Sequence, residues 1–136
     1  MPAMPEETLL AFDFGEKKIG IAIGNTLTRQ ARPLEIIFSE VREARFGRIA
    51  ALLQEWQPHR VVVGLALDAE GGEQPAPARC RRFANQLHGR FGLAVELVDE
   101  RGSSMEAQRL LGTHAADDAM AAAVILQRYL DTLPAA

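Results

Sequence analysis

Several carboxylates stand in this chain where the local pattern does not require them. They fall in three places: inside an apolar run (Asp13), after a second apolar run (Asp99 and Glu100), and at the start of an alanine-rich segment (Asp117 and Asp118). A carboxylate within an apolar strand loses hydration and gains nothing unless a cation or a hydrogen-bond donor meets it. The pattern indicates that acids from distant parts of the chain meet at one site.

Carboxylates that converge repel one another, so they cannot all stay ionised without a counter-charge. Mg²⁺ supplies one: it takes oxygen ligands in octahedral geometry and leaves positions for water and phosphate oxygens. Two such ions about 4 Å apart can activate a water and stabilise the leaving oxygen of a phosphodiester. With three His and one Cys, the sequence offers no His/Cys cluster for zinc. We expect Mg²⁺ or Mn²⁺ as the cofactor.

Each acid also has a purely structural explanation. Asp13 could bond the backbone N–H groups of the turn that follows it. Asp117 or Asp118 could stabilise a helix N-terminus through the helix dipole. Neighbouring strand residues point to opposite faces, so only one of Asp99 and Glu100 should face a site, unless the strand has already ended. The metal hypothesis therefore depends on the conjunction of all these acids.

The stretch around Asp13 predicts two strands joined by a tight turn. Leu9–Phe14 is apolar apart from its one carboxylate, and in Lys18–Gly24 isoleucine alternates with small residues. Gly15 in the turn can adopt a positive φ. The small-residue face of the second strand would let a bulky ligand approach closely.

The rest of the chain predicts a β-β-β-α-β-α-β-α-α order. Further strands are expected at Ala31–Phe38, Arg60–Leu67 and Leu93–Asp99, helices at Val41–Trp56, Ala78–Gly89, Ser103–Gly112 and Ala115–Leu130, and a loop over Asp68–Pro77. Pro33 indicates an edge strand or a late strand start. This order predicts an α/β fold of the ribonuclease H-like type, with a five-stranded mixed sheet flanked by helices. We expect one domain over residues 8–131, with flexible termini at 1–7 and 132–136.

Composition narrows the class of protein. A chain of 136 residues, 48% hydrophobic and 24% charged, is ordinary for one soluble domain. The net charge of -3 argues against a dedicated non-specific DNA binder. The few aromatic residues make stacking an unfavoured way to bind a single strand. Neither a signal peptide nor a membrane span is evident, so we expect a cytoplasmic protein without membrane contact.

Two arginine clusters have two explanations each. Arg42, Arg45 and Arg48 form one cluster, and the other comprises Arg79, Arg81 and Arg82. Either cluster could contact phosphate groups. Either could equally be the solvated face of a helix.

The motifs in their order resemble those of the YqgF (RuvX) family over about residues 8 to 131. The residues that carry the resemblance are Phe12–Ala22, Val63–Leu65, the Gly71-Gly72 loop, Val98–Arg101 with its Asp-Glu-Arg, and Asp118–Ala122. Proteins of this family have a ribonuclease H fold and are described as Holliday-junction resolvases and as nucleases that mature the 5′ end of pre-16S ribosomal RNA. The resemblance thus implies a nuclease.

The resemblance also implies roles for individual residues. The metal-binding catalytic acids would be Asp13, Glu100 and Asp118. Substrate would be bound by Gly15, Lys17, Lys18 and Arg101, with Lys17 and Arg101 meeting backbone phosphate. Asp99 and Asp117 are secondary candidates. Departures from the family pattern, such as Asn25-Thr26 where Ser-Asp is usual and Ala66 where Pro is usual, concern the substrate-facing shell and spare the implied ligands.

The function these observations predict is metal-dependent endonucleolytic hydrolysis of phosphodiester bonds, in 5′-end processing of pre-16S rRNA. One alternative is a Holliday junction resolvase acting on four-way DNA junctions, which calls for a dimer. Another is a non-catalytic RNA- or ribosome-binding module. A sugar-kinase or actin-like ATPase begins with a similar hairpin, but 136 residues leave no room for its second lobe. We expect structured RNA, or branched DNA, as the partner of a monomer or homodimer.

Overall fold

The computed structural model describes residues 6–65, 75–99 and 118–133. Within these ranges the elements are β1 (Thr8–Phe14), β2 (Ile19–Asn25), β3 (Ala31–Ile37), α1 (Arg42–Trp56), β4 (Arg60–Leu65), α2 (Pro75–Phe91), β5 (Ala94–Asp99) and α3 (Asp118–Thr132). Their order agrees with the predicted succession for every element that falls within these ranges. The helix predicted from Ser103 lies outside the described residues. No helix within them is both long and apolar enough to cross a membrane.

The sheet places β1 at its centre. The strand order is β3-β2-β1-β4-β5. β1 pairs antiparallel with β2 and parallel with β4, β2 pairs antiparallel with β3, and β4 pairs parallel with β5. This is the five-stranded mixed sheet that the sequence predicts. The strand that carries Asp13 is therefore held by hydrogen-bonded neighbours on both sides.

β3 is an edge strand, as Pro33 indicated. Ile21 pairs with Glu35 and the next residue of β2, Ala22, pairs with Pro33, so Leu34 is an extra residue in a β-bulge. At the start of β3, the backbone N–H of Ala31 donates to Oε1 of Gln127 at 3.0 Å. This edge is thus tied to α3 as well as to β2.

Two hydrophobic clusters cover the two faces of the sheet. On one face, α1 and α2 pack against the isoleucines of β2 and the even-numbered residues of β1; the buried members include Leu10, Phe12, Ile19, Ile21, Phe46, Ile49, Phe83 and Leu87. On the other face, α3 packs against the odd-numbered residues of β1; the buried members include Leu9, Ala11, Ala22, Val62, Ala122, Leu126 and Leu130. The period-2 alternation of β2 therefore separates these two cores.

The small residues of β2 accommodate α3. A Cβ atom added to Gly24 would lie 2.9 Å from Cδ2 of Leu126 and 3.2 Å from Cδ1 of Leu130. Ala22 is fully buried in the same cluster. The expectation that this face admits a ligand is therefore wrong at Ala22 and Gly24, because a helix already lies against them.

The helix after β4 is longer than predicted. It begins at Pro75 rather than near Ala78, so the predicted loop to Pro77 is wrong at its end. Proline fits in the first turn, where backbone N–H groups have no intrahelical acceptor. The helix ends beyond Gly89 because Gly92, at φ +68°, is the residue that adopts the left-handed conformation, with its N–H donating to the carbonyl of His88 at 2.9 Å.

Candidate active site

Asp13 lies on the central strand, one residue before its end. It pairs in register with Gly20 of β2, and its side chain is half-buried. The alternation of β1 gives Asp13 the same phase as Leu9 and Ala11, which pack against α3. Asp13 therefore belongs to the face of the sheet that carries α3.

The side chain of Asp99 belongs to the opposite face of the sheet from that of Asp13. Val98 packs into the cluster under α3, whereas Leu93 and Val95 pack into the cluster under α1 and α2. Alternation along β5 puts Asp99 with the second group. Its backbone carbonyl accepts a hydrogen bond from Nη1 of Arg128 at 3.1 Å. Of the adjacent acids Asp99 and Glu100, Asp99 is therefore the one that does not share a face of the sheet with Asp13.

The other predicted acids lie at or beyond the limits of the described residues. Asp118 is the first residue of α3. Glu100, Arg101 and Asp117 lie outside the ranges described. Within those ranges, no three His, Cys, Asp or Glu side chains are grouped so that they could hold a metal ion. The set Asp13, Glu100 and Asp118 stays a prediction.

The turn between β1 and β2 requires glycine at position 15 because the backbone of Lys18 leaves no space for a Cβ atom. A Cβ atom on Gly15 would lie 2.6 Å from the carbonyl oxygen of Lys18, a distance that no side chain tolerates. Positive φ among the described glycines is found at Gly92, so the expectation of a positive φ at Gly15 is wrong. The close turn leaves Lys17 and Lys18 exposed, at the end of the sheet where Asp13 lies.

Arg45 is a buried charged side chain whose structural role the sequence did not reveal. It is only 7% exposed, and its guanidinium donates to the backbone carbonyls of Ser39 and Glu16. It also lies over the ring of Phe14, with Cζ 5.4 Å from the ring centroid. Burial lowers the pKa of this guanidinium. Arg45 thereby joins α1 to the β1–β2 turn.

For Arg45, the explanation as part of a solvated helix face is wrong, because its side chain is buried and its guanidinium donates to two backbone carbonyls. A signal was present. Arg45 precedes Ile49 by four residues and Leu52 by seven, so it lies on the buried stripe of α1. Because arginine is usually exposed, the spacing of Arg45 was not interpreted as that of a buried residue.

Other arginines are engaged in ion pairs. Arg48 holds both carboxylate oxygens of Glu35 at 2.6 Å, so it belongs to a solvated ion pair. Arg79 lies 2.7 Å from the carboxylate of Glu16 in the β1–β2 turn. The acid of this turn is therefore paired with an arginine of α2.

One departure from the family pattern lies far from Asp13. Asn25 pairs with Thr8 at the opposite end of the hairpin, five residues or about 17 Å along β1. Its Oδ1 accepts hydrogen bonds from the backbone N–H groups of Leu27 and Thr28, at 2.6 and 3.2 Å. Asn25 therefore shapes the β2–β3 turn rather than the surroundings of Asp13.

Comparison with solved structures defines the class of fold. The structure of Thermus thermophilus RuvC matches with a TM-score of 0.53 at 17% identity, covering 90% of this chain and 93% of RuvC. The fowlpox virus resolvase in complex with Holliday junction DNA matches with a TM-score of 0.57 at 13% identity, covering 92% and 97%. At these identities the likeness concerns the fold alone, which is ribonuclease H-like, as predicted.

Sequence comparison identifies the family. The family model described as "RuvX: Holliday junction resolvase" matches residues 7–132. A Bordetella petrii protein named "Putative pre-16S rRNA nuclease" is 88% identical over 131 residues, 96% of this chain and 100% of that protein. A Cupriavidus necator protein of the same name is 53% identical over 127 residues, 93% and 90% of the two chains. This chain belongs to the RuvX family, which confirms the resemblance seen in its motifs.

Proposed function

We propose that this protein is a metal-dependent endonuclease that hydrolyses phosphodiester bonds during 5′-end processing of pre-16S rRNA. Membership of the RuvX family and the names of its relatives support this proposal. The observation that carries it is the placement of Asp13: a half-buried carboxylate on the central strand, on the face covered by α3. A carboxylate in that position presents oxygen ligands, which a hard divalent cation prefers, to that face of the sheet.

The course of α3 supports Asp118 as a second ligand. Leu126 and Leu130 lie against Gly24, at the end of β2 far from Asp13. From Leu126 back to Asp118 the helix covers eight residues, or about 12 Å. From Gly24 back to Gly20, the partner of Asp13, the strand covers about 13 Å. A helix running along β2 from Gly24 toward Gly20 would bring its first residue to about the height of Asp13, which supports Asp118 as a ligand of the proposed site.

Phase supports Glu100 over Asp99 as the third ligand. Asp99 belongs to the face covered by α1 and α2, opposite the face of Asp13. A carboxylate on the far side of a sheet cannot share a cation with Asp13. Of the two adjacent acids, this favours Glu100 as the ligand in the proposed site.

The donor set suits a hard divalent cation. Asp13, Glu100 and Asp118 supply carboxylate oxygens, which are ligands that Mg²⁺ and Mn²⁺ prefer. When bound, such an ion activates water and stabilises the leaving oxygen of a phosphodiester. Lys17, Lys18 and Arg101 would bind the phosphate backbone around the scissile bond, and Gly15 would keep the turn close.

Resolution of four-way DNA junctions is the second candidate, favoured by the description of the matching family. It requires two active sites related by symmetry, so it requires a dimer. Oligomeric state and substrate therefore test this candidate together. A cytoplasmic location is part of the proposal in either case.

The test is a cleavage assay with an end-labelled pre-16S RNA fragment and a synthetic four-way DNA junction, each with Mg²⁺, Mn²⁺ or EDTA. We expect metal-dependent cutting of the RNA that is lost in Asp13→Asn and Glu100→Gln. Asp99→Asn should keep its activity, because Asp99 lies on the opposite face of the sheet from Asp13. Asp131→Asn, at the far end of α3, serves as the matched control. Circular dichroism establishes that each variant is folded.

Three outcomes would contradict the proposal. Cutting that survives Asp13→Asn removes this residue from the mechanism. Symmetric cutting of the junction by a dimer, with the RNA left intact, selects the resolvase. Failure to cut either substrate with any metal favours the alternative of a non-catalytic RNA- or ribosome-binding module.

A further inference from the structure

Phe38 is unusual among the phenylalanines of this chain. It is 75% exposed, whereas Phe12, Phe46 and Phe83 are at most 6% exposed and the remaining two are partly buried against the core. Leaving such a ring in water forgoes about 1.5–3 kcal/mol of burial. An exposed ring at one defined place therefore suggests a surface that binds something.

The position of Phe38 relates it to Asp13. In the register of the sheet, Asp13 lies opposite Gly20, and Gly20 lies opposite Ile36. Phe38 follows Ile36 by two residues, so continuing the alternation gives it the same face of the sheet. Two strand spacings and two residues separate Phe38 from Asp13, which corresponds to about 12 Å. A strand of nucleic acid advances 3.4 Å per nucleotide in a duplex, so this is a distance of a few nucleotides.

The charges around Phe38 favour a polyanion. Lys18 immediately precedes Ile19, whose strand partner Ile37 immediately precedes Phe38. Lys17 and Lys18 are exposed, and the carboxylate of Glu16 beside them is paired with Arg79 at 2.7 Å. Glu40 is an exposed acid near this group. Two lysines next to an exposed ring can bind phosphate and base of one strand together.

The apolar area is too small for an interface between two copies of this chain. Phe38 and Val41, 64% exposed, are the exposed large hydrophobic residues near the end of β3 among those described, and Leu97, 43% exposed, lies on the opposite edge strand, β5. One aromatic side chain buries about 150–250 Å². A stable interface needs about 800 Å² per partner. A single flat ring is, in contrast, what one unpaired base requires.

We propose that Phe38 is a stacking contact for an unpaired base of the nucleic-acid substrate, a few nucleotides from the bond to be cut. The inference rests on the proposed nuclease function and adds a preference for a single-stranded segment beside the cleavage site. It also qualifies the expectation from the sparse aromatic content. One ring cannot form a platform along a strand, but it can select one base.

The test is the affinity for a short fluorescent single-stranded RNA and for a fully paired RNA duplex, measured with Mg²⁺ in an Asp13→Asn background. Loss of one base–aromatic stack should weaken binding of the single strand about 5- to 150-fold in Phe38→Ala. Phe38→Trp should restore affinity, and its added fluorescence should be quenched by the RNA. Duplex affinity should not change. Leu27→Ala is the matched control, because Leu27 is 73% exposed at the opposite end of the same edge.

The inference is overturned if Phe38→Ala binds single-stranded RNA as tightly as the parent, or weakens duplex binding equally. It is also overturned if Phe38→Ala changes the sedimentation coefficient, since the ring would then lie between two copies. Failure of the stacking inference can be distinguished from failure of the nuclease proposal. Phe38-dependent binding without cleavage by the unsubstituted protein supports the stack and refutes the nuclease, whereas cleavage with Phe38-independent binding does the reverse.

Discussion

Replacing Arg45 with methionine tests how the β1–β2 turn is held. Methionine preserves most of the aliphatic stem but removes both hydrogen bonds, to the carbonyls of Ser39 and Glu16, and the contact with Phe14. A hydrogen bond to a charged group contributes about 1.5–3 kcal/mol. Removing the guanidinium also relieves the cost of burying its charge, which offsets part of this loss. We expect Arg45→Met to lower the free energy of unfolding by about 2–4 kcal/mol.

The matched control is Arg48→Met, three residues further along α1. Arg48 forms its ion pair with Glu35 at the surface, with 46% of its side chain exposed. Exposed ion pairs add little to stability, so this substitution should have a much smaller effect. The two helix positions differ in burial, while the chemical change is the same. A large effect at position 45 alone would therefore be due to the buried contacts.

Urea unfolding, followed by the fluorescence of the single tryptophan and by circular dichroism, measures both effects. Amide hydrogen exchange adds a local measurement, because residues 16–19 should exchange faster in Arg45→Met once the carbonyl of Glu16 loses its donor. Arg45→Met within 0.5 kcal/mol of the parent, about the effect of an ordinary surface substitution, would refute the reasoning. Equal destabilisation by Arg48→Met would refute it too.

Two further predictions concern stability. Gly24→Ala should destabilise the protein by about 1–3 kcal/mol in thermal unfolding, because its Cβ would lie 2.9 Å from Cδ2 of Leu126. Gly47→Ala, in α1 with no atom within 4 Å of the new Cβ, should stabilise it by about 0.5–1 kcal/mol; the opposite ranking would contradict the packing described. The hydrogen bonds from Arg48 lower the pKa of Glu35 in the folded protein. The ion pair therefore stabilises the fold fully at pH values above the ordinary glutamate pKa, and this stabilisation is lost as the pH falls through the lowered pKa of Glu35. Unfolding midpoints of the parent and Arg48→Met should therefore converge below about pH 4, and a constant difference down to pH 2 would exclude this ion pair as the cause.

Strand periodicity is the part of this fold that the sequence predicts best. Isoleucine at every second position of β2 corresponds to a face that is buried under α1 and α2. The continuous run Val61–Val63 corresponds to a strand between two other strands, with all three side chains fully buried. Pro33 at the edge follows from its missing N–H. In each case the chemistry of single residues determines the local structure.

What the sequence does not predict depends on tertiary context. In β5 both alternating sets contain apolar residues, Val95 in one and Val98 in the other, so the pattern alone cannot say on which face of the sheet Asp99 lies. Small residues in a strand suit a ligand or a helix equally, and only the position of α3 decides. Pro75 is typical of a loop unless the helix that follows it is known.

The edge of the sheet has a consequence for assembly. An exposed strand offers a row of N–H and C=O groups to which another chain can add. In β3 that row is interrupted: Pro33 has no N–H, Leu34 is displaced by the bulge, and the N–H of Ala31 is taken by Gln127. An incoming strand would meet three defects within four residues, so growth of the sheet into fibrils or chains of molecules is disfavoured on this side. The features that end the sheet thus also protect a concentrated solution of the protein from polymerising through β3.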